Sequence, residues 1–205
     1  MTDIENKFVK KIYNEIADHF DISHGYVWKC VKDYIESLKP MQNILEIGCG
    51  NGRNFMNINK HQYIGIDNST ELLKICKNKK FNVLLADMTS IPFKSNKFDN
   101  ILCIASFHHL STIERRKKTL FEMKRLLKSN GTILFTIWSK KQPIKTNRYF
   151  EFYGDNIVLY NKYGNQYKRY YYIFQKKEIE QLFTICGFKI KNNYWECGNE
   201  IYILE

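Results

Sequence analysis

The sequence predicts an α/β fold in which helices cover both faces of a mainly parallel sheet. Short runs rich in Ile, Leu and Val alternate with helical or loop segments, and this alternation is typical of parallel strands joined by crossover connections. A long helical segment, TIERRKKTLFEMKRLLK, separates the last two of these runs. The predicted strands are NILEIG, QYIGID, FNVLLAD, FDNILCIAS and GTILFTIW.

Helices precede this alternation, and one helix and two strands follow it. Apolar residues at helical spacing predict a helix over 6–20, and a second helix over 26–38 ends before Pro40. Near the C-terminus, KKEIEQLFTICG predicts a last helix that ends at Gly187, and FKIKNNYW with EIYILE predicts an antiparallel hairpin. We expect one domain over 1–205, made of an N-terminal helical cap (1–40), a ligand-binding core (41–138), a basic aromatic segment (139–175) and a final helix and hairpin (176–205).

Composition and patterning exclude several classes of protein. The chain has 205 residues, of which 44% are hydrophobic and 26% charged, as in globular domains. No apolar run reaches the roughly 18–20 residues that span a bilayer, and the N-terminus has no apolar signal core, so we expect no membrane contact. The six cysteines lie far apart without C-x-x-C spacing, which predicts reduced thiols and no metal site. We expect a cytoplasmic protein and leave a nuclear location open.

Positive charge is concentrated in one segment. The formal net charge is +11, but 26 Lys against 6 Arg indicate AT-rich coding, so the total alone is weak evidence for a polyanionic partner. Residues 140–177 contain nine basic residues, two acids and eleven aromatic residues. Proteins bind single-stranded nucleic acid with cations on phosphates and rings on bases. The segment therefore predicts a contact with RNA, and an AT-biased insertion that folds over the sheet is the alternative.

A glycine loop follows the first predicted strand. Gly48, Gly50 and Gly52 alternate in EIGCGNG, which lets the backbone turn sharply and leaves room for a ligand against the main chain. The dinucleotide fingerprint would need glycine at position 53, where Arg53 stands. A pyrophosphate ligand is therefore disfavoured.

Carboxylates end the next two predicted strands. Asp67 ends the second strand, 21 residues after Glu46, where it can accept both hydroxyls of a ribose. Asp87 ends the third strand, where it can accept the exocyclic amine of adenine. A glycine loop, a carboxylate placed for a ribose and a carboxylate placed for an adenine together indicate a nucleoside cofactor without phosphates. S-adenosylmethionine fits this description.

Four motifs extend this agreement. EIGCGNG, GID, ADMTSIPF and NKFDNILCIASFHHL stand in the order and spacing of the class I S-adenosylmethionine-dependent methyltransferases, which the chain resembles over roughly 43–138. The resemblance implies a Rossmann-like fold with seven strands and S-adenosylmethionine as cofactor. It implies that the glycines contact the methionine moiety, Asp67 the ribose, and Asp87 with Met88 the adenine. The full set of implied cofactor contacts is Tyr13, Glu46, Gly48, Gly50, Gly52, Asp67, Asp87, Met88 and Ser106.

The residues after the fourth strand narrow the choice of methyl acceptor. ASFHH replaces the [DN]-P-P-[FY] motif of enzymes that methylate exocyclic base amines, and the sequence has no Pro-Cys nucleophile for a pyrimidine carbon. An acceptor that is already anionic, such as a carboxylate, needs no strong general base. Positioning and partial desolvation then supply most of the catalysis.

A closer resemblance covers nearly the whole chain outside about 142–167. IADHF followed by Trp28, FHHLST with ERRKKTLFEMKRLLK, TILFTIWS, and RYYYIFQKKEIEQLFTICGFKI are similar to the tRNA carboxymethyluridine methyltransferases. This resemblance implies that the chain esterifies the carboxymethyl group on the wobble uridine, with a tRNA anticodon loop as substrate. Methylation of another RNA or of a small-molecule carboxylate is the alternative, and a catalytically silent scaffold is a third hypothesis.

Several residues are candidates for the acceptor side. His108 is the candidate catalytic residue because it follows the fourth strand and can orient the acceptor, although a structural histidine is equally open. Trp28 can stack on a flipped-out base, or it can be a core residue. The family usually has Arg at position 24, His at 172 and Trp at 200, where this chain has His24, Tyr172 and Glu200. The candidate substrate contacts are His24, Trp28, His109, Arg148, Arg169 and Tyr170.

A partner protein follows from the resemblance alone. The related eukaryotic enzymes are stabilised and activated by a small zinc-binding subunit that several methyltransferases share. The resemblance implies a heterodimer with such a subunit, which would add to the sheet edge near the third strand, FNVLLAD.

Overall fold

The computed structural model describes residues 1–146 and 149–205. Its strands are β1 (Asn43–Ile47), β2 (Gln62–Asp67), β3 (Val83–Leu85), β4 (Phe98–Ile104), β5 (Leu127–Trp138), β6 (Gly154–Lys162), β7 (Asn165–Ile173), β8 (Ile190–Glu196) and β9 (Asn199–Leu204). Seven of them form one sheet in the order β3-β2-β1-β4-β5-β9-β8. Strands β1 to β5 run parallel, and β9 is antiparallel to β5 and β8. The predicted α/β fold with a seven-stranded, mainly parallel sheet and a C-terminal hairpin is confirmed.

Helices occupy the connections that the sequence predicts. The N-terminal helix is longer than the predicted 6–20, because a first turn and a π-helical stretch (Asn6–Lys10) precede its main part. Side-chain caps begin two of the crossover helices: Leu72 N–H donates to Ser69 Oγ at 3.2 Å, and Arg115 N–H donates to Thr112 Oγ1 at 3.4 Å. The helices are α1 (Asp3–Glu5), α2 (Lys11–Ser23), α3 (Lys29–Ser37), α4 (Thr70–Asn78), α5 (Ile113–Leu126) and α6 (Lys176–Ile185).

The main sheet is covered on both faces, which explains its nearly continuous apolar strands. On one face, residues of α5 and α6 such as Leu120 and Phe183 are completely buried against β1, β4 and β5. On the other face, Ile35 of α3 and Leu73 of α4 pack against Ile44 and Leu102. A strand that is buried on both faces has no polar side, so hydrophobic runs replace alternation. The carboxyl ends of the parallel strands therefore meet at one edge that neither helical layer closes.

The segment 139–175 contains a structure that the sequence analysis does not predict. β6 and β7 form a separate two-stranded antiparallel hairpin, which packs on the N-terminal helix and on residues 107–109 at the end of the main sheet, where Tyr171 stacks on Trp138 of β5. Tyr160 Oη lies 2.7 Å from His19 Nδ1, and Lys162 Nζ donates to Asp18 Oδ1 at 2.5 Å and to Glu15 O at 2.7 Å. The hairpin and α2 thus form one wall above the carboxyl edge of the main sheet.

Candidate membrane-spanning helices are absent from the described residues. No helix there is both long enough and apolar enough to cross a bilayer.

Candidate active site

A cavity of about 690 Å³ lies at the carboxyl edge of the sheet, where open α/β sheets bind their ligands. The N-terminal helical cap and the β6–β7 hairpin close it from above. The structure brings most of the sequence-predicted site residues together on its wall. These are Tyr13, His24, Trp28, Gly48, Gly50, Asp67, Asp87, Met88, Ser106, His109 and Arg169.

The glycine loop forms the floor at one end of this cavity. Gly48 has φ +73°, and a Cβ there would collide with the side chain of Ser106, whose Oγ donates to Ile47 O at 2.9 Å. Gly50 has φ +55°, and its N–H donates to Asp67 Oδ2 at 2.9 Å. Both positions need left-handed backbone, which glycine adopts without strain. The loop therefore exposes its main chain to a ligand. It is also hydrogen-bonded directly to Asp67, the carboxylate that is predicted to bind the ribose.

Asp67 is held by backbone donors. Ser69 N–H donates to its Oδ1 at 2.9 Å, and the Gly50 N–H occupies part of its Oδ2. Burial raises the pKa of Asp67 above its ordinary value, although these hydrogen bonds oppose the rise. Each carboxylate oxygen keeps a further lone pair, which is what two vicinal hydroxyls require.

Asp87 is held by the side chains of Arg115 and Thr89 and by one backbone N–H. Arg115 Nη2 donates to both of its oxygens, at 2.9 and 2.7 Å, and Thr89 donates to Oδ1 through its N–H and its hydroxyl. Burial alone would raise the pKa of Asp87, but the hydrogen bonds from Thr89 and the Arg115 guanidinium outweigh it and lower the pKa. Arg115 Nε also lies 2.7 Å from Glu5 Oε2, so α1 is tied to this end of the cavity.

The opposite end of the cavity is aromatic and cationic. The Arg169 side chain is buried, with its guanidinium 4.7 Å from the ring centre of Tyr160 and 5.3 Å from that of Tyr171. Its Nη1 donates to Tyr13 Oη at 3.4 Å, and its Nε has no hydrogen-bond partner among the described residues. None of the described carboxylates forms an ion pair with it. Arg169 is thus a buried cation that faces the cavity without a counter-ion.

His109 lies beside Arg169. Its Nδ1 is 2.7 Å from the main-chain oxygen of Tyr170, and its Nε2 is 3.0 Å from Tyr13 Oη. Burial lowers the pKa of His109 to about 3, and the positive charge of Arg169 acts in the same direction. The imidazole is therefore neutral at physiological pH.

Comparisons with known proteins agree with this geometry. Residues 45–135 match the family described as a methyltransferase domain. A tRNA (carboxymethyluridine(34)-5-O)-methyltransferase of Schizosaccharomyces pombe is 30% identical over 220 residues, which cover 93% of this chain and 95% of the relative. The chain belongs to this methyltransferase family. A relative of the same name in Arabidopsis thaliana is 40% identical over 141 residues, or 68% of this chain and 35% of the relative.

Length separates the chain from some members of the family. A Mus musculus relative, also named a tRNA (carboxymethyluridine(34)-5-O)-methyltransferase, is 36% identical over 147 residues, which are 71% of this chain but only 22% of the relative. The chain therefore spans about a fifth to a third of the mouse and Arabidopsis proteins that it matches.

Solved structures show the same fold. An S-adenosylmethionine-dependent methyltransferase from Clostridium acetobutylicum superposes with a TM-score of 0.70 at 18% identity, over 95% of this chain and 98% of that one. A Haloferax volcanii methyltransferase, solved in complex with the Trm112 methyltransferase activator, gives 0.66 at 13% identity, over 94% and 96%. The predicted class I methyltransferase fold is confirmed, and S-adenosylmethionine is the cofactor of this methyltransferase domain.

The structure corrects the choice of His108. Its side chain is completely buried outside the cavity, its Nδ1 accepts from Trp138 N–H at 3.2 Å, and its ring packs against Trp138 and Tyr171. It cannot touch an acceptor there. His108 and His109 are neighbours in the short 3-10 helix Phe107–His109, and only His109 points into the cavity.

Other predicted residues also lie behind the cavity wall. Glu46 is buried beneath the glycine loop, where its Oε1 accepts from Asn54 Nδ2 at 2.7 Å and burial raises its pKa to about 8. A Cβ at Gly52 would lie 2.6 Å from the ring of Phe81, so this glycine serves packing. Tyr170 is buried and donates its hydroxyl to Asp155 at 2.5 Å. The predicted contact Arg148 lies outside the described residues.

Among the cavity residues that sequence reasoning missed are Arg53, Arg115 and Tyr171. Arg53 stacks over the ring of Trp28 at 4.6 Å, and the only sequence signal for it was its place where the dinucleotide motif has glycine. Arg115 stands in the quoted ERR motif, but nothing there shows that it reaches Asp87. Tyr171 belongs to RYYYIF, in which the alternation of β7 selects Arg169 and Tyr171 for the cavity and turns Tyr170 away.

Proposed function

We propose that the chain transfers the methyl group of S-adenosylmethionine to the carboxylate of carboxymethyluridine at the wobble position of tRNA, which forms 5-methoxycarbonylmethyluridine. Arg169 is the observation that carries the proposal. A buried guanidinium without a counter-ion is unfavourable, and a carboxylate that accepts its paired N–H groups removes the imbalance. The names of the relatives support tRNA as the molecule that bears this carboxylate.

The residues of the cofactor end have separate roles in this proposal. S-adenosylmethionine supplies a methyl group on a sulfonium, which an acceptor oxygen can attack in line as the carbon–sulfur bond breaks. Gly48 and Gly50 lie against the methionine moiety, and Asp67 accepts the ribose hydroxyls through the lone pairs left by its backbone donors. Asp87 accepts the adenine amine while Arg115 holds its carboxylate, and Met88 packs beside the base.

The acceptor end positions an anion and keeps water away from it. A carboxylate oxygen is already a nucleophile, so no residue has to remove a proton. Arg169 holds the carboxylate, and the rings of Tyr13, Trp138 and Tyr171 limit its hydration. His109 is neutral and hydrogen-bonded at both ring nitrogens, which agrees with a reaction that needs no base.

RNA is favoured over a small molecule by the cavity rim. Trp28, with Arg53 stacked above it, offers a face on which an extruded uracil can stack. Away from the residues that line the cavity, Lys140 Nζ lies 4.8 Å from the centre of the exposed Tyr153 ring. Rings and cations in this arrangement suit bases and phosphates of an anticodon loop. Arg148 remains a proposed phosphate contact, and a tRNA substrate favours the cytoplasm, with the nucleus as the alternative.

The decisive experiment supplies labelled S-adenosylmethionine and tRNA that bears carboxymethyluridine, and then identifies the nucleosides. We expect a methyl ester that mild base returns to the acid. Arg169→Met should reduce its rate of formation about 100-fold, because a hydrogen-bonded charge partner is lost. Lys168→Met changes the neighbouring exposed cation and should have a much smaller effect. If the wild-type chain binds the cofactor but makes no ester while a known enzyme does, the acceptor is another RNA or a small-molecule carboxylate.

We also propose that a small zinc-binding activator subunit joins the sheet at β3. This strand is at the edge of the sheet, and Leu84 and Leu85 are 39% and 51% exposed there. An unpaired edge with exposed leucines suits a partner that adds a strand. The Haloferax neighbour, which has the same fold, was solved with an activator.

Co-purification with a zinc-binding activator tests this interface. Leu85→Lys should abolish co-purification and lower the yield of soluble protein. Ile190→Lys, on the opposite edge strand β8, is the matched control and should leave the complex intact. Full activity without the activator, or equal losses in the two variants, would contradict the proposed heterodimer at β3.

A further inference from the structure

We infer that Tyr13 positions Arg169 for the acceptor, through a hydrogen-bond chain whose direction is set by His109. The chain runs from the main-chain oxygen of Tyr170 through His109 and Tyr13 to the guanidinium. This inference rests on the proposed carboxylate acceptor. It assigns the Tyr13 hydroxyl to the acceptor end of the cavity and not to the methionine end of the cofactor.

The position of the first proton in the hydrogen-bond chain follows from the chemistry of a carbonyl group. A main-chain carbonyl oxygen can only accept, so His109 Nδ1, 2.7 Å from Tyr170 O, must carry a proton. The ring is buried beside Arg169 and stays neutral, so it carries no second proton. His109 Nε2 is therefore a lone-pair acceptor.

This tautomer decides what the Tyr13 hydroxyl does. Tyr13 Oη is 3.0 Å from His109 Nε2, and it must donate its only proton there. The lone pairs of Tyr13 Oη can then only accept hydrogen bonds. The two neighbouring donors are Arg169 Nη1 at 3.4 Å and the Tyr171 hydroxyl at 3.3 Å. Tyr13 is thus locked as an acceptor for the guanidinium, and His109 acts through Tyr13 as a positioning residue.

Without this hydroxyl the guanidinium would be poorly oriented. The guanidinium lies over the rings of Tyr160 and Tyr171, and these cation–π contacts do not select which of its N–H groups faces the acceptor. The bond to Tyr13 engages Nη1 and so determines which edge of the guanidinium is left for the acceptor. A bidentate carboxylate contact depends on such alignment.

Kinetics of Tyr13→Phe test the inference. We expect the KM for carboxymethyluridine tRNA to rise about tenfold, the loss expected for one hydrogen bond to a charged group, while the Kd for S-adenosylmethionine and the Tm stay close to wild type. Tyr172→Phe is the matched control, because it removes a hydroxyl that donates to Glu178 at 2.8 Å outside the cavity. An unchanged KM in Tyr13→Phe, or a raised cofactor Kd with an unchanged KM, would overturn the inference.

Nitrogen-15 NMR of the histidine rings provides a readout that needs no substrate. At neutral pH the His109 ring should show a protonated Nδ1 and an unprotonated Nε2, and Tyr13→Phe should shift the Nε2 resonance. A charged ring or an Nε2-protonated tautomer would contradict the chain directly. If the wild-type enzyme makes no ester but this tautomer is observed, the proposed acceptor is wrong and the proton assignment stands.

Discussion

The two ends of the cavity are constructed differently. At the cofactor end, Gly48, Gly50, Asp67 and Asp87 lie at the ends of adjacent parallel strands, and backbone geometry brings them together. At the acceptor end, the interacting side chains come from the first long helix, a turn after β4 and the seventh strand. Tyr13 and Arg169 are separated by 156 residues. Cofactor binding is thus a property of one local substructure, whereas acceptor choice depends on distant segments meeting correctly.

The two ends also differ in charge. Carboxylates dominate the cofactor end, where we propose that they accept hydroxyl and amine groups, and a buried cation dominates the acceptor end. A ligand with the wrong polarity at either end would leave a buried charge unpaired. Charge as well as shape therefore fixes the orientation of the bound pair, and substitutions at one end should leave the affinity of the other end almost unchanged.

Asp67→Asn should have the largest effect, and it should weaken cofactor binding without weakening tRNA binding. The amide keeps the shape of the side chain but removes an acceptor from the network that holds Gly50 and, in the proposed function, the ribose. We expect the Kd for S-adenosylmethionine to rise about 100-fold by calorimetry, with tRNA affinity within a factor of two. Asp33→Asn, at an exposed ion pair of α3, should change neither value. Equal losses of cofactor and tRNA affinity would contradict the expectation that the two ends of the cavity bind independently.

Arg115→Gln should have an intermediate effect at the cofactor end alone. The substitution removes the guanidinium that donates to both oxygens of Asp87, and it also breaks the ion pair with Glu5 of α1. The expected result is about a tenfold rise in the cofactor Kd, measured by the same calorimetry, because Asp87 loses the support that aligns it for the proposed contact with adenine. The control is Lys118→Gln, an exposed cation on the same helix. A wild-type cofactor Kd in Arg115→Gln would show that Asp87 needs no such support.

Glu46→Gln should have the smallest effect, on stability and not on affinity. Burial raises the pKa of Glu46 to about 8, so between about pH 4.5 and 8 the folded chain keeps a proton that the unfolded chain releases. The folded state therefore loses stability as the pH rises through this window. The amide mimics the protonated acid and can still accept from Asn54.

Thermal unfolding between pH 6 and 9 measures this effect. The Tm of Glu46→Gln should fall less than that of the wild type as the pH rises, and the cofactor Kd should stay nearly constant because Glu46 lies behind the loop. Parallel Tm curves for the two proteins would mean that Glu46 is ionised in the folded state.

The cofactor end was largely predictable from sequence because its determinants are short-range. Buried strands give continuous apolar runs, and the residue after each run must lie at the carboxyl edge of the sheet, so Asp67 and Asp87 followed directly. Side-chain direction was less accessible. Glu46 and Gly52 stand within the motif but serve packing and hydrogen bonding beneath it.

The acceptor end could be predicted only in part, for two physical reasons. The β6–β7 hairpin gave no clear pattern because apolar Ile157 and Leu159 lie on the exposed face of β6 while polar Asn156 lies on its less exposed face, and the contacts of the hairpin with α2 are tertiary. In addition, the 3-10 turn leaves His108 buried against Trp138 and places His109 in the cavity wall, and a sequence does not distinguish two adjacent histidines. Arg169 was predicted from charge, but only the fold shows that it is buried and that no described carboxylate pairs with it.

The contact between Lys162 and Asp18 has a consequence for how the protein is made. These residues are 144 positions apart, so α2 emerges from the ribosome long before the hairpin that covers it. Until the chain has been translated beyond β7, one side of the long N-terminal helix lacks its native neighbours, and such long-range pairing forms slowly. The nascent chain therefore completes its cavity only after β7 has left the ribosome, and a ribosome-bound fragment without the hairpin would have a cavity that is open on that side.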